Sequence, residues 1–155
     1  MTIRRYRRDD LGAVLTLFHD TVHTVNARDY TPDQLDAWAP SVPDKGIWHE
    51  RLASSEAYVA EQNRKIVGFG NLSKDGWVDT LYVHKNYQRE GIATAILTRL
   101  LEEAVEFDLP AVRVNASITA RPLFEAHGFH LEWEQEKAHN GNVFKTFVMV
   151  IRLRH

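Results

Sequence analysis

The sequence predicts an α/β domain with a mixed β-sheet, because β-prone segments alternate with amphipathic helical segments along the chain. Three observations support this prediction. The apolar segment 77–83 breaks at a glycine-bearing turn that opens directly into an amphipathic helix at Ile92. A strand pattern at 111–116 follows that helix, so the two strands should be parallel neighbours with a right-handed crossover. The pair Asn140-Gly141 is a strong hairpin signal near the C-terminus.

Length and composition fit a single domain spanning residues 1–155. The chain is 44% hydrophobic and 26% charged, with a formal charge of −2. This charge argues against general affinity for nucleic acid or for an anionic membrane. The absence of cysteine excludes disulfides and thiolate chemistry, and it fits a reducing cytoplasm. We find neither a signal-peptide pattern nor an apolar run near the roughly 20 residues that span a bilayer.

In the N-terminal half, a strand at 2–6 precedes a helix that Asp9 or Asp10 could cap. Thr31 is the expected cap of a second helix, with Pro32 in its first turn. Further along, the pattern predicts a short helix over 46–53 and two strands at 57–61 and 65–72.

The C-terminal half begins with the strand at 77–83 and the long helix from Ile92. After the strand at 111–116, a helix is expected over 118–127, because Gly128 is a natural C-terminal cap. The last two strands are expected near 129–137 and 143–153.

The strand–turn–helix at 77–105 suits a phosphate, because the turn leaves backbone N–H groups unpaired at a helix N-terminus. No Gly-x-x-x-x-Gly-Lys-Ser/Thr motif is present, which argues against a P-loop. The pair Gly68-x-Gly70 lies inside a strand and has no following helix, so we expect it to mark a bulge or close backbone packing rather than a Rossmann loop.

The motif Gln88-x-x-Gly91-x-Ala93 resembles the coenzyme A pyrophosphate loop of the GNAT superfamily of N-acetyltransferases. The segment 117–129, a predicted helix that ends in Gly-Phe, resembles the second signature of that superfamily, and the order of elements matches along essentially the whole chain. The stretches 22–40 and 143–149 resemble a bacterial subgroup, the YafP-like acetyltransferases.

The resemblance implies acetyl-CoA as the cofactor. The edge of the first parallel strand would pair with the pantetheine amides, which requires the two parallel strands to splay apart. Ser117 would face the pantetheine arm or cap a helix, and both roles are open. The implied cofactor-binding residues are Leu81, Tyr82, Val83, Gln88, Arg89, Glu90, Gly91, Ile92, Ala93, Thr94, Ser117 and Phe124.

The resemblance also shows a departure in the catalytic machinery. Phe124 stands where the family often has a tyrosine that protonates the leaving thiolate, so the thiolate would leave as the anion or would take a proton from water or Tyr82. The proposed general base is Asp79, with Glu61 acting through water as an alternative. Either carboxylate could instead be salt-bridged or solvated.

The first helices of the family line the acceptor pocket, which makes His23, Tyr30 and Trp38 the expected acceptor-binding residues. Trp48 is a further candidate, and core packing is an equal alternative for the two tryptophans. We expect a small-molecule amine as the acceptor. A protein or peptide amine, or a non-catalytic acyl-CoA-binding module, remains an alternative. No metal is expected, because His19 and His23 are four residues apart without a Glu or Cys nearby to complete a site. The chain is expected to be a monomer or a homodimer.

Overall fold

The computed structural model describes residues 1–153, which form one mixed seven-stranded sheet with helices on both faces. The strands are β1 (Thr2–Arg5), β2 (Glu56–Gln62), β3 (Lys65–Leu72), β4 (Trp77–Val83), β5 (Ala111–Ala116), β6 (His130–His139) and β7 (Asn142–Arg152). The helices are α1 (Leu11–Thr24), α2 (Pro32–Trp38), α3 (Lys45–Ala53), α4 (Ile92–Glu106) and α5 (Arg121–Ala126), with 3₁₀ turns at Arg8–Asp10 and Asn26–Arg28. None of the described helices is both long and apolar enough to cross a membrane.

The strand order in the sheet is β1-β2-β3-β4-β5-β7-β6. The expected parallel pair is confirmed, since β4 and β5 are neighbours joined through α4. Their pairing is limited to Trp77 with Arg113 and Val78 with Val114, whereas β4 stays paired with β3 as far as Val83. The two strands therefore diverge, and the inner edge of β4 is left open over its C-terminal half.

Each face of the sheet has its own apolar core. Helix α4 packs Ile96, Leu97 and Leu100 against one face. Helices α1 to α3 cover the other face, where Phe18 and Phe69 are among the buried residues. Successive residues of a strand point to opposite faces, so β4 contributes side chains to both cores.

Gly68 and Gly70 mark a close approach of α4 to β3, as the sequence predicts. A Cβ atom at Gly70 would lie 2.9 Å from Cγ2 of Ile96 and 3.0 Å from the carbonyl oxygen of Thr80. At Gly68 it would lie 2.8 Å from Cγ2 of Ile92. The two glycines thus let the first turns of α4 rest directly on the sheet, which fixes the position of the loop that precedes this helix.

Two local expectations are wrong. Helix α5 begins at Arg121, because Tyr30 Oη accepts a hydrogen bond from the Ile118 amide (2.8 Å) and Ser117 Oγ accepts one from the Ala120 amide (3.1 Å). These contacts hold 117–120 as a separate turn. At the start of α1, Asp10 makes no side-chain cap; its carboxylate instead accepts two hydrogen bonds from Arg4, each 2.9 Å long. Thr31 does cap α2, in a reciprocal pairing with Gln34.

The contact between α4 and β3 predicts that Gly70→Ala destabilises the protein. The added methyl would overlap both a side chain and a backbone oxygen, and overpacking of this kind costs about 1–3 kcal/mol. Urea unfolding should therefore show a lower midpoint for Gly70→Ala. The matched control is Gly12→Ala in α1, where a Cβ meets nothing within 4 Å and the free energy of unfolding should stay equal or rise slightly. Equal stability of the two variants would contradict the close approach.

Candidate active site

A cleft of about 1280 Å³ opens where β4 and β5 diverge. It extends from the N-terminus of α4, on one side of the gap, to a wall formed by α1, α2 and α3 on the other side. This volume exceeds the roughly 300–1,000 Å³ of a typical small-molecule pocket. The cleft is therefore large enough for a cofactor and a second molecule together.

The loop between β4 and α4 forms one end of the cleft. Gly91, at the N-cap of α4, has φ +82°, and Arg89 also has a positive φ of 63°. No side chain caps α4, so the amides of its first turn are open to a ligand. Gln88 turns inward, and its Nε2 donates to the carbonyl oxygen of Val83 (2.7 Å). The side chain of Gln88 thus closes the loop.

Most of the predicted cofactor residues line this cleft. They are Leu81, Tyr82, Val83, Gln88, Arg89, Gly91, Ile92, Ala93, Thr94, Ser117 and Phe124. Glu90 belongs to the same loop, but it is exposed to solvent and does not line the cleft. Phe124 is buried and packs edge-to-face on Phe129, with 5.1 Å between ring centroids.

Asp79 lines the cleft and is fixed by an ion pair with Arg51. The guanidinium donates from Nε to Oδ2 (2.6 Å) and from Nη2 to Oδ1 (2.8 Å). Buried Asn71 donates a further hydrogen bond to Oδ2 (3.0 Å). Burial opposes ionisation, but the bonds from Arg51 outweigh it, with smaller contributions from Asn71 and Lys137, and the pKa of Asp79 is lowered from its ordinary value.

A β-bulge explains why Asp79 points toward α3. Asn71 pairs with Thr80 and Leu72 pairs with Val78, so Asp79 is an extra residue on β4. Simple alternation from Trp77 would not have predicted this irregularity.

Glu61, the alternative base, is placed differently. It lies on β2, two strands away from β4, and its Oε2 accepts a hydrogen bond from Arg4 (2.9 Å). Arg4 also binds Asp10, so Glu61 belongs to an ionic cluster that joins β1, β2 and the start of α1. Of the two predicted bases, Asp79 is the one that lines the cleft.

Tyr82 lies three residues beyond Asp79 and faces the side of the sheet that α1 and α2 cover. Its hydroxyl oxygen accepts a hydrogen bond from Nε1 of Trp38 (3.1 Å), and its ring meets Phe18 edge-to-face at 5.0 Å. Burial among these rings raises the pKa of Tyr82 far above its ordinary value, although the bond from Trp38 acts the other way. The Tyr82 side chain is therefore a neutral hydroxyl at every physiological pH.

The opposite wall of the cleft is aromatic. Tyr30 and Trp38, two of the residues expected to bind the acceptor, both line it, and their rings meet edge-to-face at 5.2 Å. Trp48 adds a third ring, stacked under the guanidinium of Arg51 at 4.7 Å. His23 lies outside this lining, because its Nε2 is hydrogen-bonded to the carbonyl oxygen of Ala39 (2.7 Å), and this bond ties α1 to the end of α2.

Sequence reasoning missed a polar wall on β5, β6 and β7. Asn115, Gln135, Lys137 and Thr146 all line the cleft, on the same face of the sheet as Asp79. The alternation of residues in these strands could have placed the four side chains on one face. No local signal distinguishes a face that points into a cleft from one that points into solvent.

Comparison with known proteins decides the family. Residues 26–151 match the model of the acetyltransferase (GNAT) domain. The chain belongs to the GNAT family of acetyltransferases. It is 34% identical over 154 residues to YafP of Escherichia coli K12, an uncharacterised N-acetyltransferase, covering 99% of this chain and 97% of that protein.

Solved structures agree with this assignment. A GCN5-related N-acetyltransferase of Rhodopseudomonas palustris superimposes with a TM-score of 0.95 at 25% identity, covering 98% of this chain and 95% of that one. The PaiA N-acetyltransferase of Thermoplasma acidophilum, solved with coenzyme A, shares the fold with a TM-score of 0.78 at 15% identity, covering 98% of each chain.

As a GNAT enzyme, the chain is an acetyl-CoA-dependent N-acetyltransferase. The residues present fit that cofactor. The uncapped first turn of α4 offers amides to a pyrophosphate, and the open edge of β4 offers backbone groups to an extended chain of amides. Ser117 and Phe124 flank the same gap from the side of β5 and α5.

The left-handed conformation of Gly91 predicts that Gly91→Ala weakens acetyl-CoA binding. A Cβ atom at this position meets nothing within 4 Å, so the penalty is backbone strain alone, about 1–2 kcal/mol. Relaxation of the loop to relieve this strain would displace the amides that face the cleft. The Kd for acetyl-CoA measured by calorimetry should therefore rise about tenfold. Gly141→Ala is the matched control, because Gly141 has a similar φ of +79° and equally open surroundings in the β6–β7 turn. Its Kd for acetyl-CoA should stay at the wild-type value; an equal loss in both variants would show that the loop does not bind the cofactor.

Proposed function

We propose that this GNAT enzyme acetylates the amine of a small molecule by direct attack within a ternary complex. The observation that carries the proposal is the continuity of the cleft. One gap between β4 and β5 joins the loop of α4 to the aromatic wall of Tyr30 and Trp38. A donor and an acceptor can therefore meet at β4 without a covalent enzyme intermediate.

The β6–β7 hairpin supports a small acceptor. Nδ2 of Asn140 donates to the carbonyl oxygen of Ala37 (2.8 Å), and Nε2 of Gln34 donates to that of Val143 (3.0 Å). These bonds hold the hairpin against α2, and Asn140 itself lines the cleft, whereas a protein substrate would need an open groove. We also propose that the protein is a monomer or a homodimer and that it is located in the cytoplasm.

We propose Asp79 as the residue that accepts the proton of the acceptor amine, directly or through one water molecule. Acetyl-CoA supplies an activated acetyl thioester, and the chain must supply a proton acceptor beside it. Asp79 lines the cleft, and it is ionised at neutral pH because its pKa is lowered further below the ordinary value of an aspartate. Asn71 and Arg51 also hold the carboxylate in one orientation.

We propose Tyr82 as the group that donates a proton to the departing sulfur. Its hydroxyl oxygen already accepts a hydrogen bond from Trp38, which leaves its own proton free to be donated into the cleft. Phe124 cannot take this role, since it carries no exchangeable proton.

The proposed function predicts transfer to small amines. We expect an acceptor screen that follows thiol release from acetyl-CoA to show steady turnover with at least one class of small primary amine and little with peptide N-termini. Mass spectrometry should show products about 42 Da heavier than the acceptor, because an acetyl group replaces one hydrogen atom of the amine. Turnover of peptides alone would favour the protein-acetylating alternative. Binding of acetyl-CoA without turnover of any amine would favour a non-catalytic module.

The ion pair of Asp79 predicts a specific pH dependence. Because the pKa of Asp79 is lowered, its carboxylate is ionised above that value and is protonated only as the pH falls through it. Asp79→Asn should reduce kcat by about 10²–10⁴-fold at every pH, the usual size of general base catalysis. Arg51→Gln should retain most of the plateau rate, because Asn71 still orients the carboxylate, and it should shift the acid limb of the profile to higher pH, because it removes the charge that lowers the pKa of Asp79.

Both variants should remain folded, since an ion pair with side chains 40% and 31% exposed contributes no more than about 1 kcal/mol. Tyr82→Phe, measured in the same series, should lower kcat without changing the Kd for acetyl-CoA. A wild-type rate for Asp79→Asn across the pH range would exclude Asp79 as the base, and a wild-type rate for Tyr82→Phe would exclude Tyr82 as the acid.

A further inference from the structure

The polar wall of the cleft contains buried atoms that lack partners. Oδ1 of Asn115 and Oγ1 of Thr146 are both buried, and neither makes a hydrogen bond to any residue of the described chain. Buried polar atoms of this kind are rare, because each costs about 1–3 kcal/mol when it is left unpaired. Both side chains line the cleft, so a bound molecule can satisfy them.

The two residues lie on neighbouring strands, on the acceptor side of the sheet. Asn115 pairs with Val148 across the β5–β7 ladder, and Thr146 lies two residues before Val148 on β7. Residues two apart in a strand point to the same face, so both side chains face the acceptor side with Asp79. Gln135 lies directly opposite Thr146 on β6, and it also lines the cleft.

Lys137 supplies this wall with a positive charge. Of the other cations of the cleft, Arg51 binds Asp79, and Arg28 lies 3.7 Å from the carboxylate of Asp29. Arg89 belongs to the loop before α4, at the other end of the cleft. Lys137 makes no ion pair or hydrogen bond within residues 1–153, although its charge is close enough to act on Asp79.

We infer that the acceptor is an amine that also carries a carboxylate, bound with its carboxylate at Lys137 and its amine toward Asn115 and Asp79. This inference rests on the proposed acetylation of a small amine. The chemistry of the wall matches such a molecule group by group. The ammonium of Lys137 and the hydroxyl of Thr146 can donate to a carboxylate, and Oδ1 of Asn115 can accept from an amine. The aromatic wall of Tyr30 and Trp38 would face the remaining apolar part of the acceptor.

The experiment uses acceptors in matched pairs that differ only by the carboxylate. Phenylalanine is compared with phenethylamine, leucine with isoamylamine, and lysine with cadaverine. In at least one pair, wild-type kcat/KM should be higher for the amino acid. Lys137→Gln should then raise KM for that amino acid by about 10- to 100-fold, the size expected for a lost charge-assisted hydrogen bond, and leave KM for the amine within about twofold.

Two control variants isolate the charge of Lys137. Lys137→Arg should retain most of the preference for the carboxylate. Lys145→Gln removes a lysine of β7 that is paired with Glu134 outside the cleft, and it should change nothing. Calorimetric titration of the amino acid into the protein saturated with coenzyme A gives the same comparison without turnover, and the affinity should fall in Lys137→Gln alone.

The inference is overturned if no amino acid surpasses its decarboxylated partner, or if Lys137→Gln weakens both members of a pair equally. In either case small amines are still acetylated and the proposed function stands. If no amine of any class is acetylated although acetyl-CoA binds, the proposed function itself fails, and the inference fails with it.

Discussion

The divergence of β4 from β5 is the constraint on which the rest of the site depends. The two strands are paired at Trp77 and Val78 and then separate. Each keeps its outer partner, because β4 remains paired with β3 and β5 with β7 along their lengths. The separation therefore sacrifices hydrogen bonds only along the inner edges, and an extended ligand can replace them. A fully paired sheet would have no cleft at this point.

In the proposed function, the divergence also makes β4 the shared wall of the donor site and the acceptor site. Leu81 and Val83 point toward α4 and the cofactor loop, whereas Tyr82 points toward the aromatic wall on the opposite face. The alternation of a single strand thus separates the donor side from the acceptor side by one residue. Gly68 and Gly70 of the neighbouring strand let α4 lie close to the sheet, which brings the amides of its first turn to the same gap.

The sequence alone predicts the order of the elements and the cofactor loop, because both predictions depend only on residues that are close together in the chain. An uncapped helix start, a glycine at Gly91 and a preceding apolar strand are visible in a short window. The environment of a side chain is not local. Asp79 is turned toward Arg51 by a bulge, Glu61 is engaged by Arg4, and His23 is hydrogen-bonded to the backbone of Ala39. These outcomes depend on partners that are distant along the chain, so residue type and spacing could not distinguish them.

Phe124 stands where the family often has a proton-donating tyrosine. Its presence is consistent with a mechanism in which β4 carries both the acid and the base. In the proposed mechanism Asp79 and Tyr82 are three residues apart on one rigid strand, and each is held by a separate contact, from Asn71 and Trp38 respectively. A proton donor on α5 would have to keep its position across the gap, and the short helix is preceded by a separate turn at 117–120. With the donor on β4, the distance between the two groups is fixed by the strand itself. The α5 position is then free to pack as an apolar ring against Phe129, which is the contact that the structure shows.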